Sequence, residues 1–396
     1  MNFKLIFASL LYIFALHFSY NLYIIENWFY VGYFEKNILS LFDYLYSSII
    51  IVIPIIIFKN LKKRISQIFF IFFYIIIYAP TIIVLIYSWN YSQLDYYLFT
   101  SAYFIAFTIM AISTRIKIYK FKLFNFNPRF IFKVLFLIYL TLFLVTLSLN
   151  INSLSFVDFT DSVDVYQQRE SGPEASTSLG YIILILVSSI IPFLMSYSLY
   201  KKKYILIFLF FLSFILLYSV VANRSYLFMP LFILIVFYIF QNTKKYNFGK
   251  KIFYFFSFSL IFLSSVMYLG NENLRLLFFF PSSFLIFRTI FTGGWQSIVY
   301  YEFFSIPHNE ITYLSQTKFF NLFSEYEYFD LLGRTIGYYV FEDANLSLNS
   351  NFLISDGLAS FWFVGIIVFG IFYSLIFYLI DCVSFDIPNS IVISCM

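Results

Sequence analysis

The chain has 396 residues, of which 62% are hydrophobic and 11% charged, and its mean hydropathy is +0.86. A polar surface cannot cover so apolar a composition, which excludes a water-soluble globular domain. The net charge of +5 is dispersed among the gaps between apolar runs, so it does not mark a nucleic-acid binder.

Apolar runs recur at the length that crosses a hydrocarbon core of ~30 Å. Ten spans are predicted, at about 3–20, 38–58, 67–88, 96–113, 133–150, 180–199, 204–221, 226–241, 252–269 and 358–380. In lipid each must be helical, because a lone strand leaves its backbone groups unpaired. The first run lacks the polar flank and cleavage site of a signal peptide, so it is read as a retained helix. The predicted class is an all-α integral membrane protein of about ten transmembrane helices, with a large outer loop before the last.

Charge orients these spans. Lys4, Lys59, Lys62, Lys63, Arg64, Arg115, Lys117, Lys120, Lys122, Arg129, Lys133, Lys201, Lys202, Lys203, Lys244, Lys245, Lys250 and Lys251 fall in alternate gaps, on one side of the predicted bundle. That is 18 of the 25 basic residues, and of the 20 acidic ones only Asp381 and Asp386 join them. The positive-inside rule makes this side cytoplasmic, with both termini there and membrane lipids as neighbours.

Three regions result: 1–269, a nine-helix membrane part with an outer loop at 151–179; 270–357, a large outer loop; and 358–396, the last helix and a short tail. A structureless loop as long as 270–357 is unusual, so folded structure is expected in it. Its apolar stretch Leu276–Phe291 is broken by Pro281, Ser282 and Arg288 and is read as an interfacial or re-entrant helix. The tail ends in IPNSIVISCM, which reads as a helix that stops early, so a truncated chain is expected.

The cysteines, Cys382 and Cys395, both belong to the tail, and the only histidines are His17 and His308. Neither a disulfide framework nor a bound metal is expected, and no cofactor is called for. The 59 Phe and 36 Tyr are read as composition bias and interfacial anchors, not as sugar-stacking platforms.

Seven basic residues remain on the outer side: Lys36, Arg169, Arg224, Arg275, Arg288, Lys318 and Arg334. Arg offers a planar, permanently charged fork that grips phosphate bidentately. Arg224 sits in the turn between two spans, Arg275 and Arg288 flank the apolar stretch, and Arg169 and Arg334 are loop residues able to fold over them. Each could instead snorkel to headgroups or pair with a carboxylate. His308 and Glu310 are the first candidates for a general base, with Glu302, Asp343 and Asp356 as rivals.

Nucleotide sugars and ATP do not occur outside the cytoplasm, so a reaction there needs a substrate that carries its own activation. A polyprenyl-pyrophosphate-linked sugar does so, and arginines would stabilise the departing pyrophosphate. The stretch NSNFLISDGLASFWFVGIIVFG, with Asn349, Asn351, Asp356, Gly357, Gly365 and Gly370, resembles a segment of Wzy-type O-antigen and capsule polymerases. The surroundings of Arg169 (YQQRES) and Arg224 (ANRS) resemble the arginine-bearing outer loops of that family. Trp362 departs from it, standing where a small residue, often Gly, is usual.

The resemblance implies a metal-free glycosyltransferase of the bacterial inner membrane that polymerises undecaprenyl-pyrophosphate-linked repeat units into O-antigen or capsule, with a chain-length regulator as partner. It implies catalytic roles for Arg169 and Arg224, and less directly for Arg288 and Arg334. Arg275 and Arg334 are read as binding the lipid pyrophosphate. Three alternatives stay open, one of them an acyl- or phosphotransferase acting on surface glycan. An O-antigen ligase would share the donor, and a flippase or other transporter would place polar residues inside spans and carry repeats.

Overall fold

The computed structural model describes residues 3–35, 37, 39–58, 64–118, 128–151, 154–158, 164–165, 167–168, 172–173, 177–242, 248–316, 325–328, 330–343, 346–349, 351–384 and 389–394. Among these, all regular structure is helical. In chain order the helices are α1 Lys4–Val31, α2 Leu41–Ile57, α3 Ser66–Ser88 and α4 Gln93–Ser113. They continue with α5 Pro128–Leu149, α6 Ser178–Tyr200, α7 Tyr204–Val221, α8 Arg224–Asn242 and α9 Phe248–Leu269. The last four are α10 Glu272–Ser305, α11 Leu332–Phe341, α12 Phe352–Val383 and α13 Asn389–Ser394.

Ten helices among the described residues are long and apolar enough to cross a membrane, and the chain is a multi-pass helical membrane protein. The ten differ from the expected set at two places. The 34-residue α10 is long and apolar enough to count, while α2, with 17 residues, falls just short.

The helices form two compact units, one of residues 1–118 and 245–381, the other of 119–244 and 382–396. This division cuts across the expected regions. No boundary lies near 269, because α10, expected within an outer loop, packs into the first unit: Gly294 sits against Val84 of α3, and Trp28 of α1 stacks on Phe287 at 3.7 Å.

In the first unit the basic residues at the starts of α1, α3 and α9 and after α4 share one end. Gly249 beside Lys250 faces Leu5 and Ile71, and Arg64 donates to the Thr114 carbonyl at 2.5 Å. Asp381 accepts from the backbone N–H groups of Ile65 and Ser66, each at 3.0 Å, and from the Ser66 hydroxyl at 2.6 Å. The starts of α1, α3 and α9 and the ends of α4 and α12 therefore lie together. At the opposite end Tyr20 and Ser88 share a hydrogen bond of 2.6 Å, and Trp89 packs on Tyr96 and Phe99.

Helix α10 reaches across this opposite end. Near its start Arg275 donates to the Tyr268 carbonyl at the end of α9, 2.8 Å away. Near its finish Tyr301 donates to Asp95 in the first turn of α4, also at 2.8 Å. Between them Ser283 meets Tyr23 and Phe291 meets Tyr20. A helix of this length spans ~50 Å, yet both ends touch the same end of the unit. The stretch Leu276–Phe291 is thus part of a longer helix, whose first half exposes Leu276, Leu277, Phe280 and Phe284. Its middle, Ser283–Phe291, is wound as a π-helix, and the hydroxyls of Thr289 and Thr292 each donate five residues back, to Phe284 and Phe287, at 2.8 Å.

Helix α12 is two helices. Phe361 (φ −149°, ψ 31°) and Trp362 (φ 56°, ψ −144°) are non-helical, and the chain reverses there. Gly357 lies against the backbone of Gly365 and Ile366, and Phe352 packs on Tyr373 at 4.6 Å. The expected span at 358–380 is the longer limb, 363–383, of this hairpin. The short limb, 352–360, begins inside the unit. There the Asn351 amide donates to Thr81 at 3.2 Å and to Ser297 at 3.0 Å, and Ser355 donates to Asn349 at 2.7 Å. Asn351 of the family-like segment thus tethers the short limb to α3 and α10, while Asn349 caps that limb through Ser355.

The second unit contains α5 to α8, with α13 packed on α6 and α8. Its core is held by a 2.6 Å hydrogen bond between Tyr139 and Ser213.

Candidate functional site

Arg224 is the first residue of α8. Ala222 before it takes a left-handed conformation (φ 50°) that ends α7, and the Asn223 side chain accepts from the Ser225 backbone at 3.2 Å, capping the new helix. This tight turn pulls the guanidinium inward: its Nε is buried and has no hydrogen-bond partner among the described residues. A buried donor left unpaired costs about 1–3 kcal/mol, so this atom favours an acceptor from outside.

Residues between α5 and α6 bond to the last turn of α7. Ser155 N–H and the Gln168 amide both donate to the Ser219 carbonyl, at 3.3 and 3.2 Å, and Tyr218 donates to the Val157 carbonyl at 3.0 Å. Arg169 itself lies outside the described residues, as do Lys36 and Lys318. Its neighbour Gln168 is fixed five residues before Arg224.

The other expected arginines belong to the first unit. Arg275 is exposed and spends a donor on Tyr268. Arg334 is exposed and paired with Asp330 at 3.5 Å. Arg288 is exposed, one π-helical stretch along α10 from Arg275. Thirteen residues of helix separate Arg275 and Arg288 by ~20 Å, too far for both to grip one pyrophosphate.

His308 is exposed in the turn after α10, and no partner for it occurs among the described residues. Glu310 lies two residues on, also exposed, and faces Glu327. Partial loss of hydration and the Glu310 carboxylate raise the Glu327 pKa above its ordinary value. Tyr328 donates to the Glu310 carbonyl at 2.6 Å, and burial pushes its hydroxyl up to about 12. Asp356 is half-buried in the short limb of α12. Among the described residues no cluster of three His, Cys, Asp or Glu could hold a metal.

Of the rival bases, Glu302 has the most elaborate setting. Tyr339 donates to its carboxylate at 3.5 Å, and the phenols of Tyr33 and Tyr91 feel the same negative charge. Burial, then the nearby negative charge, raises the pKa of all three phenols. This proximity is not visible in sequence, because the four residues lie on four separate segments. The abundance of Tyr hides it further.

Comparison with protein-family models, curated proteins and solved structures finds no match.

Proposed function

We propose that the protein is a glycosyltransferase that polymerises undecaprenyl-pyrophosphate-linked oligosaccharide repeat units at the outer face of a bacterial inner membrane. The observation that carries this reading is the buried, unpartnered Nε of Arg224, close in sequence to Ser219, which accepts from Gln168. A permanently charged group in such a place suits an anion that arrives with the substrate. The sequence resemblance at Arg224 and at Asn349–Gly370 supports the choice of anion.

In this reading Arg224, with Arg169, holds the pyrophosphate. The acceptor hydroxyl oxygen bonds to the anomeric carbon of the donor sugar, and the carbon–oxygen bond to pyrophosphate breaks. The pyrophosphate leaves with the electron pair, and a general base takes the acceptor proton. The arginines favour the step because their charge acts most strongly where negative charge develops.

The glycan ladder of a deletion strain tests it. Loss of the ladder with one repeat unit kept on the acceptor supports the polymerase, whereas complete absence of repeat units contradicts it. One observation favours a second reading, a transporter: the broken α12, whose short limb starts inside the unit, is the kind of interrupted helix that lines transport sites.

A further inference from the structure

The second unit holds Gln168 by both ends of its side-chain amide. Its Nε2 donates to the Ser219 carbonyl at 3.2 Å, and its Oε1 accepts from the Ser155 hydroxyl. A carbonyl can only accept, so the amide nitrogen must face Ser219 and the orientation is fixed. Ser219 belongs to the last turn of α7, whose carbonyls lack partners within the helix. Its carbonyl also accepts from the Ser155 N–H at 3.3 Å. Next to it, the Tyr218 hydroxyl donates to the Val157 carbonyl at 3.0 Å, and the Tyr218 ring meets Phe156 edge-on at 5.5 Å. Val165 is buried in the same cluster as Tyr218, Ala222 and Tyr226. The stretches 155–157 and 165–168 are therefore clasped to the end of α7.

That end determines where Arg224 stands. After α7 come Ala222 at φ 50°, Asn223, and Arg224 as the first residue of α8. A left-handed alanine costs free energy and persists only where surrounding contacts hold it. The Ala222 N–H closes on the Tyr218 carbonyl at 2.7 Å. The two residues that bear the clasp, Tyr218 and Ser219, thus also carry the strained turn. Gln168 joins the parts: it belongs to one stretch, bonds Ser155 of the other, and bonds Ser219 of the helix.

We propose that Gln168 is a positioning residue. It holds the end of α7 so that the α7–α8 turn presents Arg224 in the orientation that grips pyrophosphate. Its effect on the reaction passes through Arg224, so the role rests on the pyrophosphate reading above. The clasp itself does not depend on that reading.

The test uses the full chain in nanodiscs, with two readouts. Hydrogen exchange followed by mass spectrometry reads the clasp, and elongation of purified lipid-linked repeat units reads the role. Gln168→Ala should speed exchange at 219–226 roughly fivefold, the usual net worth of one hydrogen bond. It should lower kcat for elongation about ten- to a hundredfold, as a small misplacement of a catalytic group does, with KM little changed. Gln168→Glu keeps an acceptor for Ser155 but turns a carboxylate oxygen toward the Ser219 carbonyl. It should be no better than Gln168→Ala, and it replaces that variant if alanine prevents folding. In an Arg224→Ala background, Gln168→Ala should change the rate by less than about twofold, because the group it positions is gone. Unchanged exchange, wild-type elongation by Gln168→Ala, or equal slowing in both backgrounds overturns the proposal. Slow elongation by Arg224→Ala beside normal elongation by Gln168→Ala sinks this inference alone. Normal elongation by Arg224→Ala removes the pyrophosphate reading, and the positioning role falls with it.

Discussion

Gly357 and Gly365 lie backbone against backbone across the hairpin of α12. A Cβ on Gly357 would meet the backbone nitrogen and Cα of Ile366 at 2.8 Å, and one on Gly365 would meet the Gly357 carbonyl. Backbone cannot rotate aside as a side chain can, so either methyl forces the limbs apart. Gly365→Ala should therefore cost at least the ~1–3 kcal/mol typical of overpacking, and Gly370→Ala, against Ala106, should cost no more. Thermal unfolding in detergent compares them, and an unchanged midpoint for Gly365→Ala would remove the close approach.

At the tip, Trp362 holds φ 56° with ψ −144°, a region that glycine adopts freely and other residues enter only at ~1–3 kcal/mol. Alanine normally stabilises a helical position over glycine by ~1 kcal/mol. Here the order should reverse: Trp362→Gly should unfold at a higher temperature than Trp362→Ala. Both lose the ring that packs on Tyr301 and Phe363, so the comparison isolates the backbone. The normal order would show that 361–362 is ordinary helix.

The Asp381 carboxylate caps the start of α3 through Ile65 and Ser66 and is only 3% exposed. Asp381→Ala leaves three donors without their acceptor and should destabilise by about 2–4 kcal/mol. Asp381→Asn, which keeps one acceptor oxygen, should cost less. Equal stability of all three chains in thermal unfolding would refute the cap.

Much of this architecture is legible in the hydrophobic pattern, because a membrane span must be an apolar helix of nearly fixed length. Asp381 was even assignable to the basic side by counting spans. The turn at Phe361–Trp362 was not legible: it carries neither Gly nor Pro and is as apolar as the limbs it joins, so 358–380 read as one span. The signal lay in Gly357 and Gly365, placed symmetrically about it. Helix α10 was half legible. Leu276–Phe291 reads as no ordinary span, but the polar break at Thr292–Gly294 hides its continuation to Ser305. Among the site residues, Arg224 could be picked out because a charge in a two-residue turn is conspicuous. The tyrosines around Glu302 could not, since 36 Tyr offer no contrast and proximity between distant segments leaves no local pattern.

The two ends of α10 should be reached from one side of the membrane. In a chain with Cys382 and Cys395 replaced by Ser, single cysteines at Asn271 and Pro307 should both react with an impermeant maleimide applied outside intact cells. A helix that crosses would expose them on opposite sides, with only one labelled.

The central claim is that Arg224 holds the pyrophosphate of a lipid-linked glycan, and elongation by the Arg224 variants tests it most directly. The substrate would be purified lipid-linked repeat units, assayed in excess EDTA with the variants matched for protein amount. Losing a charge-assisted contact of about 2–4 kcal/mol should slow chain growth roughly 30- to 1000-fold in Arg224→Ala. Arg224→Lys should recover little of it, because an ammonium cannot reproduce the bidentate fork. Wild-type elongation by Arg224→Ala would contradict the account.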